Sequence, residues 1–329
     1  MRQVFAIARA SMGALVAVLA LGCVPAAWAA EAFPSQPIRM VLPYPPGGGI
    51  DAVGRPLAEQ LSKQLGQPVI VDNRGGANGA IGMDIVAKAP PDGHTIVLAL
   101  DSQFSINPNI YKSLPYDPIK DYAPVTLIGT VPYILVASSS LPVKTVDDMI
   151  AYVKAHKNKV NYASSGVGSG AHLATALLES MTGISMVHIP NKSTSSAMRD
   201  VAENDAQFMF VTYGAAAGMI QAGRLRPIAV TGTKRMPLLP DVPPIAESLP
   251  GYETGVAYGI FAPAGTPADI VGRLNAEIVK VIESPTYQKN ISASGVEVHS
   301  TSPQEFGAYV QKELDKWQRI VRESHIPQN

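Results

Sequence analysis

The sequence predicts an α/β protein made of two lobes with a ligand cleft between them. Short apolar runs alternate with helical patterns from residue 37 to 129, which is typical of a parallel sheet covered by helices. Two apolar runs then follow each other within residues 123–138 without a helical pattern between them, and the alternation resumes afterwards. We therefore expect the chain to cross into a second lobe there and to return near its end. Lobe 1 is predicted to comprise residues 30–130 plus 252–329, and lobe 2 residues 131–251.

The N-terminal segment, residues 1–29, is expected to be a cleaved signal peptide. Its charged start is followed by an apolar run shorter than the roughly 20 residues of a membrane span, and Ala27-Trp28-Ala29 fits a cleavage site. Cys23 would anchor a lipoprotein, but Leu21 stands where the lipidation motif usually has a small residue. A soluble protein exported to the periplasm is therefore favoured.

The composition argues against several kinds of partner. Without Arg2 and Arg9, 24 basic residues face 26 acidic ones, and a formal charge of −2 gives no electrostatic case for nucleic acid or a membrane surface. Cys23 is the single cysteine, so the mature chain is expected to hold no disulfide or thiolate metal site. None of the six histidines pairs with a histidine or carboxylate at metal-ligand spacing, and we expect neither a metal nor a cofactor.

The stretch Pro43–Asp51, which contains three consecutive glycines, organises lobe 1. An apolar run at 38–42 predicts a buried strand before it, and apolar residues four apart predict a helix after it that ends at Gly66. A glycine-rich loop between strand and helix presents backbone N–H groups and a helix N-terminus, which favour a bound anion and let it approach the main chain. A plain turn is the alternative interpretation of this loop taken alone.

Further strands of lobe 1 are predicted at 68–71 and 95–100. The helix between them is expected to have an apolar face formed by Ile81, Ile85 and Val86. Pro56 lies inside the first predicted helix, which should therefore start near Gly54 or bend there.

Lobe 2 repeats this scheme around a second glycine-rich loop, Ser164–Ala171. A strand at 160–163 precedes the loop and a helix ending at Gly183 follows it, while Thr145 and Asp148 form the capping box of an earlier helix. Further strands are predicted at 186–189, 206–211 and 227–230.

The last segment is expected to complete lobe 1. A strand at 259–262 leads to a helix capped by Thr266 with Pro267 at its first position, and a capping box from Ser302 to Glu305 opens the C-terminal helix. The residues that this last helix is predicted to bury are Phe306, Val310, Leu314, Trp317 and Val321.

The two glycine-rich loops are of the same kind, one in each lobe. If the lobes face each other, both loops line one cleft and two helix N-termini aim into it, which suits a small carboxylate. His172, just inside the second loop's helix, either faces this cleft or is a core or helix-surface histidine, and the second interpretation is favoured.

Patterns of known enzymes match the sequence poorly. The segment Gly166–Ala171 fits the dinucleotide fingerprint G-x-G-x-x-A, but the next predicted strand ends at His188–Asn191 with no acidic residue to bind a ribose. Neither Ser165 nor Ser169 stands in the G-x-S-x-G context of a nucleophile elbow. We therefore do not expect an enzyme.

Seven segments, in order across nearly the whole mature chain, carry a family resemblance. They are Pro43–Gly48 with Asp51, Val71–Arg74, Gly79–Gly82, Pro91–Thr95, Tyr162–Ser169, Leu239–Pro243 and Phe261–Pro267. On these segments the chain resembles the Bug-type (TctC-like) periplasmic receptors, the substrate-binding components of tripartite tricarboxylate transporters. The resemblance implies a type II periplasmic binding-protein fold, a carboxylate ligand held by backbone amides and ordered water, and membrane permease subunits as partners.

Three positions depart from the family pattern. Gly49 and Ile50 stand where a proline and a hydroxyl residue are common, Asn191–Ser193 replaces Tyr-Lys-Gly, and Ala257-Tyr258 stands where a tryptophan is frequent. Since the first two departures lie at the expected cleft, the identity of the ligand is not carried over from relatives.

We expect the ligand to contact both loops and residues next to them. The predicted ligand-binding residues are Tyr44, Gly47, Gly48, Gly49, Ile50, Asp51, Ala163, Ser164, Ser165, Gly166, Ser169, His172, Asn191 and Tyr213. The predicted function is that of a monomeric receptor that captures a small organic acid by lobe closure in the periplasm and delivers it to a tripartite tricarboxylate-type transporter. The alternative is a periplasmic sensing subunit of a two-component system that binds the same kind of acid, and an enzyme is the third possibility.

Overall fold

The computed structural model describes residues 33–47 and 49–323, and the helices and strands of these residues lie within the compact unit Gln36–Asn329. The expected signal peptide, with Cys23, and the predicted site residue Gly48 lie outside the described residues.

The described residues form ten strands. They are β1 (Ile38–Leu42), β2 (Val69–Asn73), β3 (Thr95–Leu100), β4 (Tyr122–Ser138), β5 (Asn161–Ser164), β6 (Val187–Pro190), β7 (Phe208–Thr212), β8 (Leu225–Val230), β9 (Gly255–Pro263) and β10 (Glu297–Val298).

The α-helices of the described residues cover the faces of these strands. They are α1 (Gly49–Leu65), α2 (Ala80–Ala87), α3 (Asn107–Ile110), α4 (Val146–Ala155), α5 (Gly170–Thr182), α6 (Thr194–Glu203), α7 (Tyr213–Gln221), α8 (Ala268–Ile282), α9 (Pro285–Ile291) and α10 (Pro303–Glu323). A short π-helix, Ser102–Ile106, follows β3.

The strands are arranged as two α/β lobes that share β4. The strand order is β2-β1-β3-β9-β4-β7-β5-β6, and β10 and β8 pair with β4 off this path. β1 pairs in parallel with β2 and β3, and β5 pairs in parallel with β6 and β7, as the alternation of strands and helices predicts. β9 runs antiparallel between β3 and β4.

The crossing between the lobes takes place inside one strand. The two apolar runs of 123–138 are not separate elements, because β4 is continuous over 17 residues. Its first part, up to Pro132, pairs with β9, whereas Tyr133–Ser138 pairs with β7 and β8. Backbone pairing on both sides therefore overrides the turn signals of Gly129 and Pro132. The exact lobe boundaries stay a prediction.

The C-terminal helix joins the hydrophobic cores of both lobes. Phe306 packs with Phe104 and Phe261 in the core of lobe 1, with ring centroids 5.9 and 4.7 Å away. Trp317 lies nearer the C-terminal end of α10. It belongs to a second core cluster that contains Leu135 and many residues of lobe 2. The helix is thus anchored in apolar surroundings near both of its ends. Leu314, also predicted to be buried, is only partly buried.

Three local predictions need correction. Helix α1 begins at Gly49 and runs on with Pro56 inside it, so it does not start near Gly54. Ile81 is half exposed, because the three-residue spacing of Ala80, Met83 and Val86 places those side chains on the buried face of α2. Thr266 does not cap α8, since its hydroxyl donates to the Pro263 carbonyl and closes the preceding turn, and Pro267 takes the N-cap position.

Candidate functional site

Both glycine-rich loops line one cleft. It consists of two adjoining cavities of about 490 Å³ each, a volume typical of small-molecule sites. The first cavity includes Gly49 and Ile50, and the second includes Ser102 and Ser169. The residues that line both cavities are Tyr44, Leu100, Tyr133, Ser165, Gly170, Thr194 and Val256. The cleft thus takes residues from each lobe and from the crossing strands β4 and β9.

The predicted ligand-binding residues fall into two groups. Those that line the cleft are Tyr44, Gly47, Gly49, Ile50, Ser165 and Ser169. Those that lie outside its lining are Asp51, Ala163, Ser164, Gly166, His172, Asn191 and Tyr213. A direct ligand contact stays a prediction for both groups.

Four helices of at least nine residues begin at the cleft. Gly49 is the first residue of α1, Gly170 of α5 and Thr194 of α6, and Thr212 is the N-cap of α7. First-turn N–H groups have no partner within their own helix, and the helix dipole places partial positive charge there. The cleft therefore favours a negatively charged group without needing a basic side chain.

The first loop is closed onto its own helix by Asp51. The buried carboxylate accepts a hydrogen bond from the Gly47 N–H at 2.8 Å and pairs with Arg55 Nε at 2.7 Å. Asn73 Nδ2 lies 3.3 Å from the same carboxylate. Both Asp51 oxygens are thus occupied within the protein, which makes a structural role the simplest account of this residue.

Tyr44 presents a fixed hydroxyl to the cleft. Gln103 Nε2 donates to the Tyr44 Oη at 2.9 Å, and Ser102 Oγ and Asn78 Oδ1 lie 3.2 and 3.3 Å from it. Burial raises the pKa of Tyr44, and the hydrogen bonds with Ser102 and Gln103 partly offset this. The phenol is therefore neutral at physiological pH, and its hydroxyl is held by these three side chains.

The second loop depends on glycines and on a buried histidine. Gly166 and Gly168 have φ values of 127° and 76°, which disfavour a side chain, and a Cβ at Gly168 would collide with Ile110. The Gly168 N–H donates to His172 Nδ1 at 3.0 Å, and the Ser169 hydroxyl caps α5 by accepting from the His172 N–H. The loop conformation is therefore fixed from beneath by α5.

His172 is a core histidine, as the favoured interpretation predicts. Its ring stacks on His188 with centroids 4.2 Å apart, and the Tyr162 ring lies nearly parallel to both, with its centroid 4.7 Å from that of His188 and 6.3 Å from that of His172. His188 Nε2 lies 2.7 Å from the Ser164 hydroxyl, which also donates to the Gly166 carbonyl. Burial, with a smaller contribution from His188, lowers the pKa of His172 to about 4, and burial also lowers the pKa of His188. Both rings are neutral at pH 7.

Residues at or near the strands β3, β4 and β9 form the floor of the cleft, and they were not predicted from the sequence. Leu100 ends β3 and Asp101 follows it, Tyr133 lies on β4, and Val256 and Tyr258 lie on β9. No motif marks these positions, because they meet only through the antiparallel pairing of β9 with β3 and β4. Asp101 could have been predicted from its position just after a buried strand, since ligand sites form at the carboxyl ends of parallel strands.

The cleft carries almost no charge. Among the described residues that line its two cavities, Asp101 is the single charged side chain, and no arginine or lysine is present. Within the described ranges, no group of three or more metal-ligating residues is found, and no helix is long and apolar enough to cross a membrane. The groups that this lining offers to an anion are therefore backbone amides and hydroxyl groups.

Comparison with known families assigns the chain. Residues 53–326 match the model of the tripartite tricarboxylate transporter family receptor. The chain belongs to this receptor family. BugT of Bordetella pertussis, a curated relative, is 34% identical over 299 residues, which cover 90% of this chain and 91% of BugT. The predicted resemblance to Bug-type receptors is confirmed.

Solved structures of similar receptors confirm the predicted fold class, two α/β lobes of the periplasmic binding-protein type. R. palustris Rpa4515 with adipate superposes with a TM-score of 0.80 at 34% identity and covers 90% of this chain and 99% of its own. MatC from Rhodopseudomonas palustris with bound malate gives a TM-score of 0.75 at 30% identity, covering 88% of this chain and 100% of its own. This receptor is similar to both proteins, and each of their structures contains an organic acid.

Proposed function

We propose that this chain is a periplasmic receptor that captures a small organic acid in the cleft and delivers it to a tripartite tricarboxylate-type membrane transporter. One observation carries the proposal: helix N-termini from both lobes converge on a cleft whose described lining residues include no basic side chain. Oriented amides of this kind bind a carboxylate. A ligand that contacts both lobes stabilises the closed form of the receptor.

The energetics of such a site are sufficient for a receptor. A hydrogen bond to a charged oxygen contributes about 1.5–3 kcal/mol, so three or four amide and hydroxyl donors supply about 4.5–12 kcal/mol, a range that includes the roughly 8 kcal/mol of a micromolar affinity. Ser165 is exposed at the cleft, and Ser169 accepts from His172 N–H while its own O–H is left to donate to a ligand. These two hydroxyls and the first-turn amides of α5 form one carboxylate subsite.

The structural neighbours support the class of ligand. Adipate and malate accompany two receptors that share this fold at 30% identity or above. Both are small dicarboxylates, which two facing sets of helix N-termini suit. The departures at Gly49, Ile50 and Asn191–Ser193 leave the individual acid to be identified by experiment.

The remaining features of the proposal concern processing and assembly. Residues 1–29 serve as a cleaved signal peptide, and the mature chain works as a monomer without catalytic activity. Lobe 1 comprises residues 30–130 plus 252–329 and lobe 2 residues 131–251, joined by β4 and β9.

Calorimetry with a panel of organic acids tests the proposal. The purified mature receptor should bind at least one acid of three to six carbons with a Kd of about micromolar or tighter, and adipamide, which lacks the carboxylates, should not bind. Uptake of the best acid should fall in a strain that lacks the gene and recover on complementation. No binding by any acid would overturn the receptor function. Binding with unchanged uptake would indicate the sensing subunit instead.

A further inference from the structure

Asp101 is a buried carboxyl group at the floor of the cleft. It follows β3 directly, begins the turn into the π-helix, and is only 5% exposed. It lines the second cavity together with Ser169, Gly170 and Thr194. On its other side it lines a smaller cavity of about 220 Å³ that also contains Glu313 and Lys316.

No side chain of the described residues satisfies this carboxylate. Its hydrogen bonds come from two backbone N–H groups, that of Ala257 at a long 3.4 Å from Oδ1 and that of Ser102, and no described lysine or arginine forms an ion pair with it. Lys316 interacts electrostatically with Asp101, but it is paired with Glu313 at 3.2 Å. A buried carboxylate with so little compensation is costly unless a ligand supplies a donor.

The ligand is the missing partner that this arrangement suits. A plain dicarboxylate would place like charge beside Asp101, whereas an acid that also carries an ammonium or hydroxyl group would donate to it. We propose that Asp101 is a specificity-determining residue that selects carboxylic acids bearing such an N–H or O–H donor. This inference rests on the proposed function, because it concerns which acids the cleft accepts.

The protonation of Asp101 fits this role. Burial, with repulsion from Glu313, raises the pKa of the Asp101 carboxyl to about 7, so the group is partly ionised at neutral pH. The groups that face it are Tyr44, Tyr133, Tyr258, Tyr309, Glu313 and Lys316. A donor on the ligand binds the ionised carboxylate more strongly than the protonated acid, so the affinity for donor-bearing acids should rise between pH 6 and pH 8.

Matched acids test the proposal by calorimetry. Each trio has one carbon skeleton and differs at a single carbon: succinate, malate and aspartate; glutarate, 2-hydroxyglutarate and glutamate; adipate, 2-hydroxyadipate and 2-aminoadipate. In the best-bound trio, a donor-bearing member should bind wild type at least about tenfold more tightly than the plain diacid. The preference should disappear in Asp101→Ala.

Asp101→Asn distinguishes a preference for an ammonium donor from a preference for a hydroxyl donor. The amide keeps an acceptor oxygen but loses the charge, so it should remove most of the preference for an ammonium group and less of the preference for a hydroxyl. Glu179→Gln is the matched control, because Glu179 also has a pKa raised by burial but lies outside the cleft lining. It should leave the preference unchanged.

The outcomes separate this inference from the proposed function. Binding of acids without a donor preference, or a preference that survives in Asp101→Ala, would overturn the inference alone. A plain diacid that binds most tightly, and more tightly as the pH falls, would show that protonated Asp101 donates to a carboxylate and would also overturn it. Absence of binding by every acid would overturn the proposed function, and the inference with it. If Asp101→Ala fails to fold, Asp101→Asn carries the test, and a wild type without a donor preference overturns the inference by itself.

Discussion

At the scale of single residues, the second glycine-rich loop depends on the protonation state of one imidazole. His172 Nδ1 accepts from the Gly168 N–H, which an imidazolium cannot do because both of its nitrogens carry protons. The stacked neighbour His188 would add repulsion if both rings were charged. The loop that lines the cleft is thus stable only while His172 is neutral.

Acid should therefore weaken this receptor through His172. Its pKa of about 4 in the folded chain lies below the usual value of 6.5, so the folded state favours the neutral ring. The stability contributed is present above pH 6.5 and is lost as the pH falls toward 4, by about 2 kcal/mol at pH 5. Urea unfolding of wild type between pH 7 and pH 4.5 measures this loss.

His172→Asn is the informative variant, because its side-chain oxygen can replace Nδ1 as an acceptor but does not titrate. It should flatten the acid-dependent loss of stability, whereas His156→Asn, at an exposed histidine, should not. An unchanged pH profile in His172→Asn would show that another group carries the acid sensitivity.

At the scale of secondary structure elements, local signals predicted most helices and strands. The capping boxes at Thr145 and Ser302 form as expected, because a cap needs only residues within one turn. Gly183 ends α5 in the left-handed conformation for the same local reason. The failures are non-local: β4 is one strand because β9 pairs across the expected break, and Asp101 and Tyr133 reach the cleft through strand pairing.

The second loop, as an element, contributes two serines with different duties. Ser165 is exposed and lines both cavities, so Ser165→Ala should weaken binding of the best acid about tenfold without loss of stability. Ser169 also caps α5, so Ser169→Ala should weaken binding and cost about 1 kcal/mol of stability. Neither change should abolish binding, because the backbone amides share the interaction.

Calorimetry and chemical denaturation of the two serine variants measure both effects. Ser292→Ala, at an exposed serine outside the cleft lining, serves as the control and should match wild type in affinity. Wild-type affinity in both loop variants would remove these hydroxyls from the carboxylate subsite and leave the amides alone to form it.

At the scale of the whole molecule, three connections govern how the lobes move. β4 pairs with β9 from Tyr122 to Pro132 with two register shifts, and the hydrogen bonds of Thr231 to Tyr133 and Thr254 brace the segment where bending is expected. Helix α10 packs into both cores, through Phe306 in lobe 1 and Trp317 in the second cluster. Bending is therefore expected near residues 129–132 and 252–257, with an amplitude that α10 limits.

Ligand binding should close the lobes about this hinge. An acid that contacts helix N-termini from both sides binds the closed form better and shifts the population toward it, by as much as its differential affinity allows. Small-angle X-ray scattering should show a smaller radius of gyration with the best acid at saturation, and adipamide should leave the value unchanged. Because α10 is anchored in both cores, Trp317→Ala should loosen one anchor and increase the difference between the free and bound radii. An identical radius at saturation would mean that the cleft is rigid, and capture would then need no closure.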